Sequence, residues 1–71
     1  MDYIAVSSST VAAIAYDAET ATLGVRFLAG SEYHYQGVPE DVFVGLQTAS
    51  SVGKYLEQYV KKAGFPYTRV G

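Results

Sequence analysis

Thr22-Leu23-Gly24-Val25-Arg26-Phe27-Leu28 sets Leu23, Val25 and Phe27 on one side of the chain and Gly24 and Arg26 on the other. A period of two predicts a strand with one buried face. The reading spreads to both neighbours. Upstream, Val11-Ala12-Ala13-Ile14-Ala15-Tyr16 is apolar on both alternating sides, and its period alone does not separate strand from helix. The turn-like cluster Asp17-Ala18-Glu19-Thr20, leading straight into the alternating run, makes it a strand. Downstream, Ala29-Gly30-Ser31 is a second turn, and Glu32-Tyr33-His34-Tyr35-Gln36 alternates again. Three strands on two short connections form an antiparallel meander. Before them, Ser7-Ser8-Ser9-Thr10 reads as a polar loop, and Tyr3-Ile4-Ala5-Val6 is a candidate short extra edge strand.

At Val38-Pro39 the pattern changes. Proline suits the first position of a helix, where its missing N–H has no partner to lose. Glu40 and Asp41 then fall at the positive end of the helix dipole. Val42, Phe43 and Leu46 make a short apolar stripe, and Gly45 weakens the helix, so about two turns are expected. A second helix is better marked. Ser50 or Ser51 caps it, and Val52, Tyr55, Leu56, Tyr59, Val60 and Ala63 recur at helical spacing. Lys54, Glu57, Gln58 and Lys61 lie on the other side, with Glu57 and Lys61 a favourable i,i+4 pair. Gly64 stands where a left-handed C-cap residue belongs. Phe65 to Val70 is an extended tail whose Phe and Tyr are expected to close over one end of the core. The economical architecture is α+β: a small antiparallel meander of three strands with two helices packed on one face.

A chain of 71 residues makes a single domain, here with its core over about residues 7–70. A domain of this size buries only about 60% of its unfolded surface. No cysteine is present, so there is no disulfide framework and no thiolate metal site. Five bases against seven acids leave a net charge of −2. That balance argues against tight nonspecific binding to a phosphate backbone, and it allows a small local basic patch. No run approaches the ~18 consecutive apolar residues of a membrane span. The start, MDYIAV, carries an acid where a signal peptide carries bases. The expected location is the cytoplasm, without a membrane partner.

The order of these signals resembles the KTSC domain family, found at the C-terminus of some lysyl-tRNA synthetases and as short stand-alone bacterial or phage proteins. The residues that carry the resemblance are Ser9, Ile14-Ala15-Tyr16-Asp17, Leu23-Gly24-Val25-Arg26-Phe27, Tyr33-His34-Tyr35 and Val38-Pro39. Ser51-Val52-Gly53-Lys54-Tyr55 and Phe65-Pro66-Tyr67-Thr68-Arg69-Val70 complete it. The match runs from about Ser7 to Val70, and the specificity lies in order and spacing. Leu56 departs from the family pattern, which has an aromatic there, and Phe65 stands in place of a Tyr. The resemblance implies the α+β fold. Its synthetase association points to RNA, a warrant by association and not by chemistry.

Tyr33 and Tyr35 share one face of their strand. On one reading they are a platform on which single-stranded bases stack. On the other they face the helices, leaving the polar alternates Glu32, His34 and Gln36 to solvent, with only the tyrosine hydroxyls at the rim of the core. His34, the one histidine, reads as a surface residue; a metal site needs further ligands. Ser7 to Thr10 lack a base and an orienting acid at any recognisable spacing, so no catalytic residue, cofactor or metal is expected. Ser51, Gly53 and Lys54 open the second helix, either as a phosphate-sized anion site or as an ordinary cap with a close-packing glycine. The first functional expectation is a non-catalytic module that binds single-stranded RNA or a nucleotide weakly through Arg26, His34, Lys54, Ser51, Gly53 and the rims of Tyr33 and Tyr35. The alternative is a protein partner or homo-oligomer, docked on the apolar face of Ala12, Ile14 and Tyr16 or on its alternates.

Overall fold

The computed structural model describes residues 1–71. Five strands, β1 Ile4–Ala5, β2 Val11–Asp17, β3 Thr22–Phe27, β4 Glu32–Tyr35 and β5 Tyr67–Arg69, pair in sequence order, each antiparallel to its neighbours. The sheet is open, with β1 and β5 at its edges. The expected three strands are therefore five. Tyr3–Val6 contributes β1, and the tail does not simply fold over the core but returns along β4 as β5. The reason is backbone satisfaction. Without the tail, the Glu32 carbonyl and the Gln36 N–H would have no strand partner; in its place Val70 N donates to Glu32 O at 2.8 Å and Gln36 N donates to Pro66 O at 2.8 Å.

Register assigns the faces. Ile14 pairs with Val25 and Val25 with Tyr33; Leu23 pairs with Tyr35 and Tyr35 with Tyr67. These residues share the side covered by the helices. Ala15, Gly24 and His34 lie across from one another on the other side, as do Ala13, Arg26 and Glu32. One irregularity adjusts the pattern. Val11 pairs with Phe27 and Ala13 with Arg26, so Ala12 is an extra residue in β2. The bulge lets Val11 and Ile14, three apart, both point at the helices, and both are fully buried.

Two helices cover this face: α1 Glu40–Thr48, and α2 Val52–Leu56, which continues as a π turn over Glu57–Lys61. Pro39 precedes α1 as its N-cap with extended ψ, one position earlier than expected. Leu46, Val52, Leu56 and Val60 join Val11, Ile14, Leu23, Val25, Tyr35 and Val38 in one core. Gly45 is more than a weak point in α1. A Cβ there would overlap the Tyr55 hydroxyl, so the glycine is the seat against which α2 lays its ring. The π turn also corrects the apolar stripe. Lys62 N donates to Glu57 O, five residues back, at 3.0 Å. The wider turn keeps Val60 buried but leaves Tyr59 49% exposed and Ala63 exposed, so neither is core.

The connection from β4 to α1 is clamped twice. Tyr16 Oη donates to Val38 O at 2.5 Å while its ring stacks on Phe43 at 5.5 Å, and Val38 N donates to Ala21 O at 2.9 Å. Ala21 holds this position at φ 54°, the left-handed region that a Cβ disfavours. Burial, then the charges of Glu40, Asp41 and Asp17, push the Tyr16 hydroxyl pKa up, which keeps it a donor. With Ile14 fully buried, Tyr16 stacked and Ala15 fully buried on the other side, β2 has no large uncovered apolar face.

On the side without helices, Tyr3 reaches from the start of the chain across Gly24, where a Cβ would lie 2.9 Å from Tyr3 Cζ. Its hydroxyl donates to Glu32 Oε2 at 2.6 Å and lies 3.4 Å from His34 Nε2. The Arg26 guanidinium sits 3.8 Å over the Tyr3 ring, and its Nε bonds Glu32 Oε1 at 3.2 Å. This latch holds a two-residue edge strand that otherwise has little packing. The Glu32 carboxyl titrates below its ordinary range, chiefly because Tyr3 donates to it, against a smaller opposing effect of burial, with Arg26 and His34 adding to the lowering. Tyr3 is pushed up to about 12 by burial, then by its bond to Glu32 and that carboxylate's charge, with Arg26 opposing.

Three outcomes follow from these contacts. Ala21→Gly removes about 1–2 kcal/mol of steric cost and adds about 0.4–1 kcal/mol of freedom to the unfolded chain. Thermal denaturation should show a net gain of between about 0 and 1.6 kcal/mol, a rise in Tm of at most about 13 °C. Tyr3→Ala should cost about 1–3 kcal/mol in urea denaturation. In a Gly24→Ala background, where Tyr3 has already lost its seat, the same replacement should cost less than about 0.5 kcal/mol. The third outcome concerns pH. A lowered carboxyl pKa stabilises above its unfolded value and loses that contribution as pH falls; a raised phenol pKa stabilises below its unfolded value and loses it as pH rises. The stability advantage of the native chain over Tyr3→Phe should thus be flat near neutrality. It should shrink on acidification through the Glu32 titration and again as pH rises from 10 to about 12.

Candidate ligand-binding cleft

Aromatic rings line the helix-side face of β4 and β5, where the helices stop short. Tyr33 is the hub. Its ring centroid lies 5.8 Å from Phe27, 6.3 Å from Tyr35 and 5.7 Å from Tyr67. Tyr35 and Tyr67 are likewise 5.7 Å apart. Such tilted and edge-on pairs are favourable ring geometry. Burial grades outward along the row. Tyr35 is 3% exposed, Tyr33 is half-buried and Tyr67 is 64% exposed. Of the two sequence readings of Tyr33 and Tyr35, the placement toward the helices is the one the register shows. Both turn toward the helices, Tyr35 as core, while Tyr33 forms the floor of an opening that the helices do not cover.

That opening is a cleft of about 690 Å³ lined by Tyr33, Tyr35, Phe65, Pro66, Tyr67, Gly64 and Lys61. Gly64 at φ 82° ends the helical segment and turns the chain into the cleft wall. Phe65 packs on the core. Tyr67 does not close over the core as expected but remains an open rim. Burial, then the neighbouring Tyr33, Tyr67 and Glu57, raise the Tyr35 hydroxyl pKa.

A second groove, of about 730 Å³, runs beside the first between the start of α2 and the β3–β4 turn. Its walls include the hydroxyls of Ser9, Thr10, Ser31 and Ser51 and the side chains of Lys54 and Glu57. Lys61 borders both openings. Its Nζ sits 5.2 Å over the Phe27 ring and 3.9 Å from Glu57 Oε2.

Of the residues singled out from the sequence, Tyr33, Ser51, Gly53 and Lys54 line the second groove, and Tyr35 lines the first cleft. Arg26 and His34 do not join them. The alternation of β3 and β4 sends both to the opposite face, where Glu32 and Tyr3 engage them. Ser51 and Gly53 take the ordinary reading. Ser51 Oγ accepts from Lys54 N at 3.4 Å, and a Cβ on Gly53 would lie 2.8 Å from Thr10 Oγ1. They are a cap and a close-packing glycine, not an anion cradle. The cleft residues that sequence reasoning left out of the site are Phe65, Tyr67 and Lys61. Their signal was the period of two in Phe65, Tyr67 and Arg69, which places Tyr67 opposite Tyr35 once the tail is a strand.

The cleft, the row of rings and the polar face all sit on a chain that other proteins share nearly end to end. It is 34% identical over 70 residues to a protein of Stutzerimonas stutzeri described as uncharacterized, spanning 99% of each. It is 39% identical over 56 residues to a protein of Tsukamurella paurometabola, covering 79% of this chain and 84% of that one. The fold is similar to the crystal structure of a KTSC domain protein from Yersinia pestis, at TM-score 0.87 and 32% identity, over 99% of this chain and 97% of the other. Residues 7–65 match the KTSC domain, and with most of its length so matched the chain belongs to the KTSC domain family.

Proposed function

We propose that the protein is a non-catalytic binding module that takes single-stranded RNA or a nucleotide in the aromatic cleft. The observation that carries this reading is the ring of Tyr67, 64% exposed, 5.7 Å from Tyr33, with Lys61 lining the same opening. An exposed ring beside a cation suits a base and its phosphate, and stacking on such a ring is worth about 1–3 kcal/mol per base. The distribution of charge supports the same side. Asp17, Glu40 and Asp41 gather around Tyr16, while Lys54 and Lys61 border the two openings with Glu57 as the one acid among their lining residues. With few cations at the site, binding is weak and falls with salt. Arg26 and His34, on the far face, take no part. A protein partner docked on β2 has less support, since Ile14 and Ala15 are fully buried.

The test is a chemical-shift titration at low salt with short single-stranded RNA and with mononucleotides. Shifts should cluster at Tyr33, Phe65, Tyr67 and Lys61, and Tyr67→Ala should weaken binding about 5- to 100-fold, the stacking energy expressed as affinity. An absence of shifts, or a cluster at Arg26 and His34, overturns the reading.

A further inference from the structure

The two openings on the helix side have only Tyr33 and Lys61 in common. Each has a volume ordinary for a small-ligand pocket. Their chemistry differs. The Tyr67 cleft is walled mainly by rings and suits the face of a base; the groove beside it has an apolar wall of Phe27, Leu28 and Leu56 and adds Ser9, Thr10, Ser31 and Ser51, whose hydroxyls suit sugar hydroxyls and base edges. We infer that the pair forms one site for two successive nucleotides of single-stranded RNA, with the phosphodiester between them at Lys61. This rests on the reading of the aromatic cleft as a nucleotide site and specifies its ligand.

Charge at the junction selects the kind of phosphate. Lys61 is the one cation bordering both openings, and Glu57 Oε2 stands 3.9 Å from its Nζ. A phosphodiester carries a single negative charge and sits beside Lys61 with limited repulsion from Glu57. A terminal phosphomonoester carries about −1.5 to −2, as phosphorylated side chains do at neutral pH, and meets more of that repulsion. Glu57 therefore disfavours mononucleotides and phosphorylated ends relative to an internal linkage. Lys54, on the far side of Glu57 in the same groove, is placed to meet the next phosphate of a longer strand.

Calorimetric titration of the intact chain with uridine, UMP and the dinucleoside monophosphate UpU tests this. UpU should bind at least about tenfold tighter than either single unit, about the 1.4 kcal/mol that a factor of ten represents. Lys61→Gln should bring UpU to within about twofold of uridine measured on the same variant. Glu57→Gln should tighten UpU and tighten UMP more. Circular dichroism on each variant checks the fold, and both side chains are substantially exposed, so folding is expected to survive. If uridine, UMP and UpU bind alike, or if UpU keeps its advantage in Lys61→Gln, the two-nucleotide site is overturned and the single-base cleft stands. If none of the three binds, both readings fall.

Discussion

The pairing of β3 with β2 on one side and β4 on the other is the constraint on which the rest of the molecule depends. In β3, Leu23, Val25 and Phe27 alternate with Gly24 and Arg26, and a slip by one residue would exchange the two sets. The observed register puts the large side chains under α1 and α2 and sends Gly24 and Arg26 to the side without helices. Both surfaces follow from that. On the far side, the missing side chain of Gly24 leaves room for the Tyr3 ring, which Arg26 and Glu32 then hold from either end. On the near side, the same register lines up Phe27, Tyr33, Tyr35 and Tyr67 across three strands.

The two surfaces behave differently for a physical reason. The Tyr3, Arg26, Glu32 and His34 cluster satisfies itself: the carboxylate accepts from the phenol and from the guanidinium, and the guanidinium lies against the ring. Little is left over for a ligand, and the cluster acts on the fold by fastening β1. The aromatic row has no such closure. Its inner member is core, the π turn reaches its Phe27 end through Lys61, and its outer member, Tyr67, is mostly in water. An uncovered apolar face of this kind gains from a partner in a way that a completed hydrogen-bond cluster does not.

Much of this was legible before any coordinates. The turn at Asp17–Thr20 and the alternation around it identify the meander; Ser51 caps the second helix, while Gly64 takes its left-handed turn two residues past the C-cap Lys62; and the order of motifs pointed to the KTSC family that the comparisons bear out. What was not legible depended on partners distant in sequence. β1 lies in the stretch read as a candidate edge strand, but β5, three residues long, read only as an extended tail and pairs because β4 presents an open edge. The bulge at Ala12 and the π turn at Glu57–Lys61 shift the side chains that follow them, and neither has a local signature in residue type. Gly45 read as a weak helix position and Gly53 as either a ligand approach or a close-packing glycine; the partners that set their roles, Tyr55 and Thr10, lie ten and more residues away.

The sequence by itself determined which side of β3 and β4 each residue occupies, because a side-chain period of two is a local property of extended backbone. That alternation put Arg26 and His34 on the face opposite Tyr33 and Tyr35, although the first functional expectation gathered all four into one site. Only the tertiary structure decided how far the helices extend across those tyrosines. That limit comes from where α1 and the π turn end and from the return of the tail beside β4. It buries Tyr35, leaves Tyr67 in water, and brings Lys61 to the boundary between two openings that no spacing in the chain connects.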